Sequence, residues 1–184
     1  MSGSKGVSKI KSRPIVVGFL GLLLGLVGCA NSNPPTAGPV TATPESKKVT
    51  SAGVVSAQPQ PTDLSAGNTG EVVLRLVIQK GYHVNANPPT FPYLIPTELI
   101  IKPAEGITVG KVSYPAAIKG KFAFADEPLA VYEGDTEIKA ELMVDKKASA
   151  GNHTLGAVLR IQACDDQVCY PPGTIDLQIP VTVK

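Results

Sequence analysis

The sequence predicts an all-β protein whose folded part is an antiparallel, immunoglobulin-like β-sandwich. Three observations carry this reading. Seventeen prolines and eighteen glycines among 184 residues, with 5% aromatics and no Trp, suit many short strands joined by turns. From residue 66 onward several stretches alternate apolar and polar residues with the period of two that a half-buried strand requires. No window sustains the 3.6 period of a long amphipathic helix. A composition of 43% hydrophobic and 17% charged residues is sufficient for one core.

The N-terminus is set apart from the folded part. Lys5, Lys9, Lys11 and Arg13 precede the apolar run "IVVGFLGLLLGLVG" at 15–28. That run is shorter than the about 20 residues of a membrane span, and its flanks suit a secretory signal peptide over 1–28. Leu26, Val27, Gly28 and Cys29 resemble the lipobox of bacterial lipoproteins, which implies cleavage before Cys29 and lipidation of its sulfur. The plainer alternative is an ordinary signal, or a short anchor helix, that happens to end at a cysteine. Without the four leader charges, 13 Lys and Arg stand against 15 Asp and Glu, so no basic stripe remains to suggest nucleic acid.

Residues 29–65 are dominated by Pro, Ala, Thr, Ser, Asn and Gly and lack aromatics. Such a segment buries too little apolar surface to offset its ordering entropy, so a disordered linker is expected, with a reach on the order of 50–100 Å. The domain is expected over 66–184. Its strands are read at "EVVLRLVIQ" (71–79), "PTELIIKP" (96–103), "GKVSYP" (110–115), "GKFAF" (120–124), "TEIKAELMVD" (136–145), "HTLGAVLRIQAC" (153–164) and "IDLQIPVTV" (175–183). In the fifth, Ile138, Ala140, Leu142 and Val144 share one face and Glu137, Lys139 and Glu141 the other. In the sixth, Leu155, Ala157, Leu159 and Ile161 point inward.

The chemistry of the chain concentrates in "IQACDDQVCYPPG" at 161–173. With Cys29 committed to lipid, Cys164 and Cys169 are the two thiols left to pair in an oxidising compartment. A bridge closing so short a ring stabilises the fold by only about 2 kcal/mol, less any strain. A sandwich core does not need it, and the short ring suits a disulfide that opens and closes. Asp165 and Asp166 raise rather than lower the pKa of neighbouring thiols. The pair therefore suits attack by a more reactive partner thiolate. Pro171 and Pro172 stiffen the exit. An inert hairpin disulfide and a zinc site remain as alternatives, although His83 and His153 stand apart in sequence and read as turn or strand-edge residues. No cofactor motif, no metal-ligand motif and no hydrolase nucleophile motif is present.

Three segments, "GYHVNANPPTFPYLIPTEL" at 81–99, "VYEGDTEI" at 131–138 and "QACDDQVCYPPG" at 162–173, resemble the N-terminal periplasmic domain of the DsbD thiol:disulfide interchange family. The resemblance implies an immunoglobulin-like fold in which the two cysteines cycle between dithiol and disulfide. They would carry electrons from membrane-embedded and thioredoxin-like reductases to disulfide-bearing periplasmic proteins, such as disulfide isomerases and cytochrome c maturation proteins. By position, Cys169 resembles the sulfur that forms mixed disulfides and Cys164 its resolving partner. Val131, Tyr132, Glu133 and Gly134 resemble the cap loop, with Tyr132 placed as an aromatic over the sulfurs. Tyr82, His83, Asn85 and Asn87 match the family's early motif and are read as structural.

Four residues separate the cysteines, one fewer than in some relatives. The chain carries neither the multi-pass membrane domain nor the thioredoxin-like domain of full DsbD, so its reductant is expected from another protein. The expected function is thus an extracytoplasmic, lipid-anchored exchange module without cofactor or metal. Ala30 after Cys29, in place of the Asp of an inner-membrane retention signal, points toward the outer membrane. The alternative is a non-catalytic immunoglobulin-like binding or assembly lipoprotein with a structural disulfide.

Overall fold

The structure, a computed structural model, describes residues 48–184. The expected signal peptide, Cys29 and the first part of the expected linker lie outside the described residues. Among those described, a single 3-10 turn, Ala52–Val54, precedes twelve strands. They are β1 (Val55–Pro59), β2 (Thr62–Leu64), β3 (Thr69–Ile78), β4 (His83–Asn85), β5 (Glu98–Ile101), β6 (Ile107–Ser113), β7 (Ile118–Gly120), β8 (Leu129–Tyr132), β9 (Asp135–Val144), β10 (Gly151–Ile161), β11 (Ala163–Cys164) and β12 (Gly173–Val183).

Two four-stranded sheets build the sandwich, in the orders β1-β3-β9-β6 and β2-β12-β10-β5. Their long strands carry the alternation read from the sequence. In β9, Ile138, Ala140, Leu142 and Val144 are buried, and Leu74 and Val72 of β3 stand opposite Ile138 and Ala140. Leu155, Ala157, Leu159 and Ile161 of β10 are buried likewise, and Leu155 pairs across with Ile179 of β12. The outward positions of the first sheet are charged and paired, Lys139 with Glu71 at 3.1 Å and Arg75 with Asp135 at 3.3 Å. Exposed as these are, they contribute little beside the core.

Three expectations are corrected. The linker does not extend to residue 65: β1 pairs with β3 from Val55↔Ile78 to Pro59↔Leu74, and β2 runs parallel to the C-terminal strand, Leu64 beside Val183. These are edge strands, held largely by backbone hydrogen bonds to a prebuilt sheet, so their modest apolar content misled the compositional boundary. Val54, Val55 and Leu64 nevertheless reach the core. The stretch read as a strand at 120–124 is a strand only to Gly120, and the chain then turns through Phe122 and Phe124. Finally, the architecture is more than two sheets. A third sheet of short strands, β11-β4-β8-β7, stands beside the sandwich and carries Cys164.

Candidate functional site

The site is built on one face of this third sheet. Cys164 pairs with His83 and Ala163 with Val84 across β11 and β4, and Val84 and Asn85 pair in turn with Tyr132 and Val131 of β8. Neighbouring residues along a strand point to opposite faces. Cys164, His83, Asn85 and Val131 therefore share one face, and Ala163, Val84 and Tyr132 the other, which joins the hydrophobic core.

Cys164 and Cys169 form the disulfide, with Cα atoms 3.9 Å apart. The two sulfurs are not equivalent: Cys164 is fully buried and Cys169 half-exposed. The ring is closed independently of the S–S bond. The Tyr170 amide donates to the Ala163 carbonyl at 2.8 Å, and that of Asp165 to the Val168 carbonyl at 3.0 Å. Ser51, fully buried, ties both stems together: its hydroxyl donates to the Pro171 carbonyl at 2.7 Å and accepts from the Ala163 amide at 3.0 Å.

The acidic turn is more organised than its sequence suggests. One Asp165 oxygen accepts from the Gln167 and Val168 amides at 2.8 Å each, and the other accepts from the Tyr170 hydroxyl at 2.6 Å. The Tyr170 hydroxyl, then the two amides, hold the Asp165 carboxyl below its usual range. The same bond to Asp165 pushes the Tyr170 phenol up to about 12. Tyr82 leans on Tyr170, with ring centroids 6.0 Å apart.

Above the site face lies the connection between β7 and β8. Phe122 stacks on the His83 imidazole at 3.8 Å, and Phe124 lies farther out at 6.5 Å from the same ring. Gly120 makes room for this: a Cβ there would sit 2.4 Å from the Phe122 ring. Phe124, Asp126 and Leu129 from this segment, with Phe91, Tyr93 and Leu94 opposite, line a cavity of about 190 Å³ that Cys169 borders.

The expected cap residues do not gather at the sulfurs. Tyr132 packs into the core on the opposite face, with its hydroxyl at 3.0 Å from the Asn87 amide, which donates to it, and burial raises its pKa. Val131 is on the site face but two strands away from Cys164. Glu133 and Gly134 form the turn into β9, where the Gly134 carbonyl accepts from the Ile78 amide at 2.9 Å and Gly134 adopts φ 60°. The aromatics over the site are Phe122 and Phe124 instead.

His83, read as a turn or edge residue, is buried beside Cys164, and burial lowers its pKa against the opposing pull of Asp166 and Asp165. A short alternation, His83 and Asn85 against Val84 and Ala86, was the available signal; which strand would lie opposite was not. Asn85 is tied in by its side-chain amide, which donates to the Ile95 carbonyl and Gln162 Oε1 at 3.1 Å each. His153 is remote, with Nε2 2.7 Å from the Ser149 carbonyl oxygen. Among the described residues no group of three or more His, Cys, Asp or Glu side chains is placed to hold a metal ion.

Fold and site together define an immunoglobulin-like domain with a short-ring disulfide at the edge of a side sheet. Residues 52–179 match the family model of the N-terminal domain of the thiol:disulfide interchange protein DsbD, and the chain belongs to that family. Among solved structures it is similar to the reduced DsbD N-terminal domain of Neisseria meningitidis, at 22% identity over 64% of this chain and 82% of that one, TM-score 0.39. It is also similar to the N-terminal periplasmic domain of ScsB from Proteus mirabilis, at 17% identity over 68% of this chain and 44% of that one, TM-score 0.47. A type I cohesin from Pseudobacteroides cellulosolvens follows at 10% identity over 71% and 92%, TM-score 0.40. No curated protein matches the chain.

Proposed function

We propose that this protein is an extracytoplasmic thiol-disulfide exchange module, held to a membrane by lipid on Cys29 and working through Cys164 and Cys169. The observation that carries the reading is the asymmetry of the disulfide: a half-exposed Cys169 and a buried Cys164 in a ring whose stems are already closed by backbone and Ser51 hydrogen bonds. A bond that the fold does not need, with one sulfur offered to solvent, suits exchange. The family membership supports the same class of chemistry.

A thiolate of a thioredoxin-like or membrane-embedded reductase attacks Cys169, and Cys164 leaves with the electron pair. The partner's second thiol then attacks its own sulfur in the mixed disulfide and frees Cys169. Two electrons have passed to the module and the partner is a disulfide. Run backwards, the dithiol reduces a disulfide-bearing extracytoplasmic protein. Phe122 and Phe124 serve as the cover that a partner displaces, the part that the family resemblance implied for Tyr132. The signal peptide, lipid and tether complete the reading by placing the domain away from the membrane surface.

Trapping tests it. A Cys164→Ala chain expressed in its native host accumulates mixed disulfides through Cys169, seen as thiol-sensitive bands on non-reducing gels. Their absence, with Cys169 present and free, would sink the proposal in favour of a structural disulfide.

A further inference from the structure

The buried side-chain atoms without a hydrogen-bond partner among the described residues are Nε2 of His83 and Oδ1 of Asn85. Both belong to β4, two residues apart, and so lie on the face that carries Cys164. An unpaired buried polar atom costs about 1–3 kcal/mol, and the one on His83 belongs to the residue directly across the strand pair from Cys164, so it needs a compensating use. The disulfide leaves Cys164 with no hydrogen to share, whereas the dithiol supplies an S–H.

Access sharpens the point. Cys164 is fully buried and His83 is 2% exposed beneath Phe122, so water and buffer bases do not reach the Cys164 sulfur. Its proton must come and go through a neighbouring side chain. Directly opposed residues of an antiparallel pair hold their Cβ atoms about 4.5–5.5 Å apart, which brings an imidazole within reach of a sulfur.

The other titratable groups nearby are committed or face away. Asp165 has both oxygens engaged, by the Gln167 and Val168 amides and by Tyr170, and Asp166 is exposed. Tyr132 lies on the other face with its hydroxyl at Asn87. Lys119 of β7 and Lys121, Asp126 and Glu127 of the covering connection are all exposed.

We propose that His83 is the proton carrier of the buried Cys164 sulfur. The proposal rests on the exchange reading above and adds how its buried half works. In the mixed disulfide between Cys169 and a partner cysteine, Nε2 of His83 takes the Cys164 S–H proton. The Cys164 sulfur attacks that of Cys169, the bond from Cys169 to the partner breaks, and the partner sulfur leaves as a thiolate. The imidazolium then gives its proton to that thiolate or to water. Cys164 and Cys169 are oxidised by two electrons and the partner is reduced. In the opposite direction the departing Cys164 thiolate recovers a proton by the same route. Burial keeps the imidazole neutral near neutral pH, with its lone pair available.

Ring closure can be timed directly in the full chain carrying Cys29→Ser, reduced with dithiothreitol, desalted and mixed with excess 5,5′-dithiobis(2-nitrobenzoate). The first thionitrobenzoate released marks attack by Cys169, and the second marks closure by Cys164. His83→Gln is expected to slow the second phase at least about tenfold at pH 7, a conservative bound beneath the about 10²–10⁴-fold typical of general-base catalysis, while the first changes little. The wild-type second phase levels off above about pH 6.5, and that of the variant keeps rising with pH. A second phase within threefold of wild type at every pH overturns the proposal. Should His83→Gln fail to fold, the ¹⁵N resonance of Nε2 in the unsubstituted protein decides: it shifts on reduction if Cys164 becomes its partner, and an unchanged resonance overturns the proposal. Chemical ring closure proceeds with or without a cellular partner, so this result and the trapping result fail independently.

Discussion

Cys164 stands directly across the β11–β4 pair from His83, both buried, and Phe122 stacks on the imidazole with ring centroids 3.8 Å apart. This relationship makes the two sulfurs of one short ring chemically different. Cys169 meets solvent, while Cys164 meets only the protein.

The difference predicts unequal reactivity of the single-cysteine chains. Cys169 in Cys164→Ala should be alkylated by iodoacetamide at least about tenfold faster than Cys164 in Cys169→Ala, since access limits a buried thiol. Mass spectrometry of timed samples measures the ratio, and equal rates would contradict the burial asymmetry.

Gly120 sets the height of the cover. Gly120→Ala would bring a Cβ into the Phe122 ring and push that ring off His83. Faster reduction of the disulfide by dithiothreitol is expected, by roughly threefold to tenfold on the view that exchange rate follows access. A rate equal to wild type would show that Phe122 does not shield the pair.

His83 also couples stability to pH. Its folded pKa lies below the ordinary 6.5, so between those values the unfolded chain binds more protons than the native one. Stability is therefore full above about pH 6.5 and falls as pH drops toward the folded pKa. Urea unfolding midpoints between pH 5 and 7.5 should show this slope in the wild type and a shallower one in His83→Gln.

Asp165 and Tyr170 hold each other's titration. Tyr170 should stay protonated to about pH 12, and Asp165→Asn should return it toward 10.0, read from tyrosinate absorbance. In Tyr170→Phe the Asp165 carboxyl should titrate at a higher pH than in wild type, read by NMR. The sign follows from the shared hydrogen bond, which favours carboxylate and phenol together.

The domain boundary is testable by truncation. A chain starting at residue 66 lacks β1, β2 and Ser51, which leaves the edge of β3 bare and the Ala163 amide without its hydroxyl acceptor. It should aggregate or melt well below the full chain in calorimetry. Ser51→Ala alone should cost about 1–3 kcal/mol, the range for a buried backbone donor left unpaired.

Legibility followed the range of the interaction. The alternation of Ile138, Ala140, Leu142 and Val144 is a local pattern, and the strand formed where it said, because burying one face of a strand depends on residues two apart. The turn residues Pro171 and Pro172 and the short cysteine spacing are local in the same sense. Ser51 reaches across 120 residues to Pro171, and its hydroxyl in a Ser- and Pro-rich stretch carries no mark of that contact. Phe122 looked like one more apolar strand position until the chain turned and laid it on His83.

By itself, then, the sequence determined an all-β sandwich and the residues that fill it, and it singled out one short cysteine ring as the candidate place for chemistry. Periodicity, turn chemistry and cysteine spacing are all written along the chain. Tertiary structure alone decided that His83 is the neighbour of the buried Cys164, and that Phe122 lies over that imidazole while Tyr132 turns into the core. Those are outcomes of strand pairing, and the partner of a strand is chosen by packing across the whole fold rather than by the residues beside it.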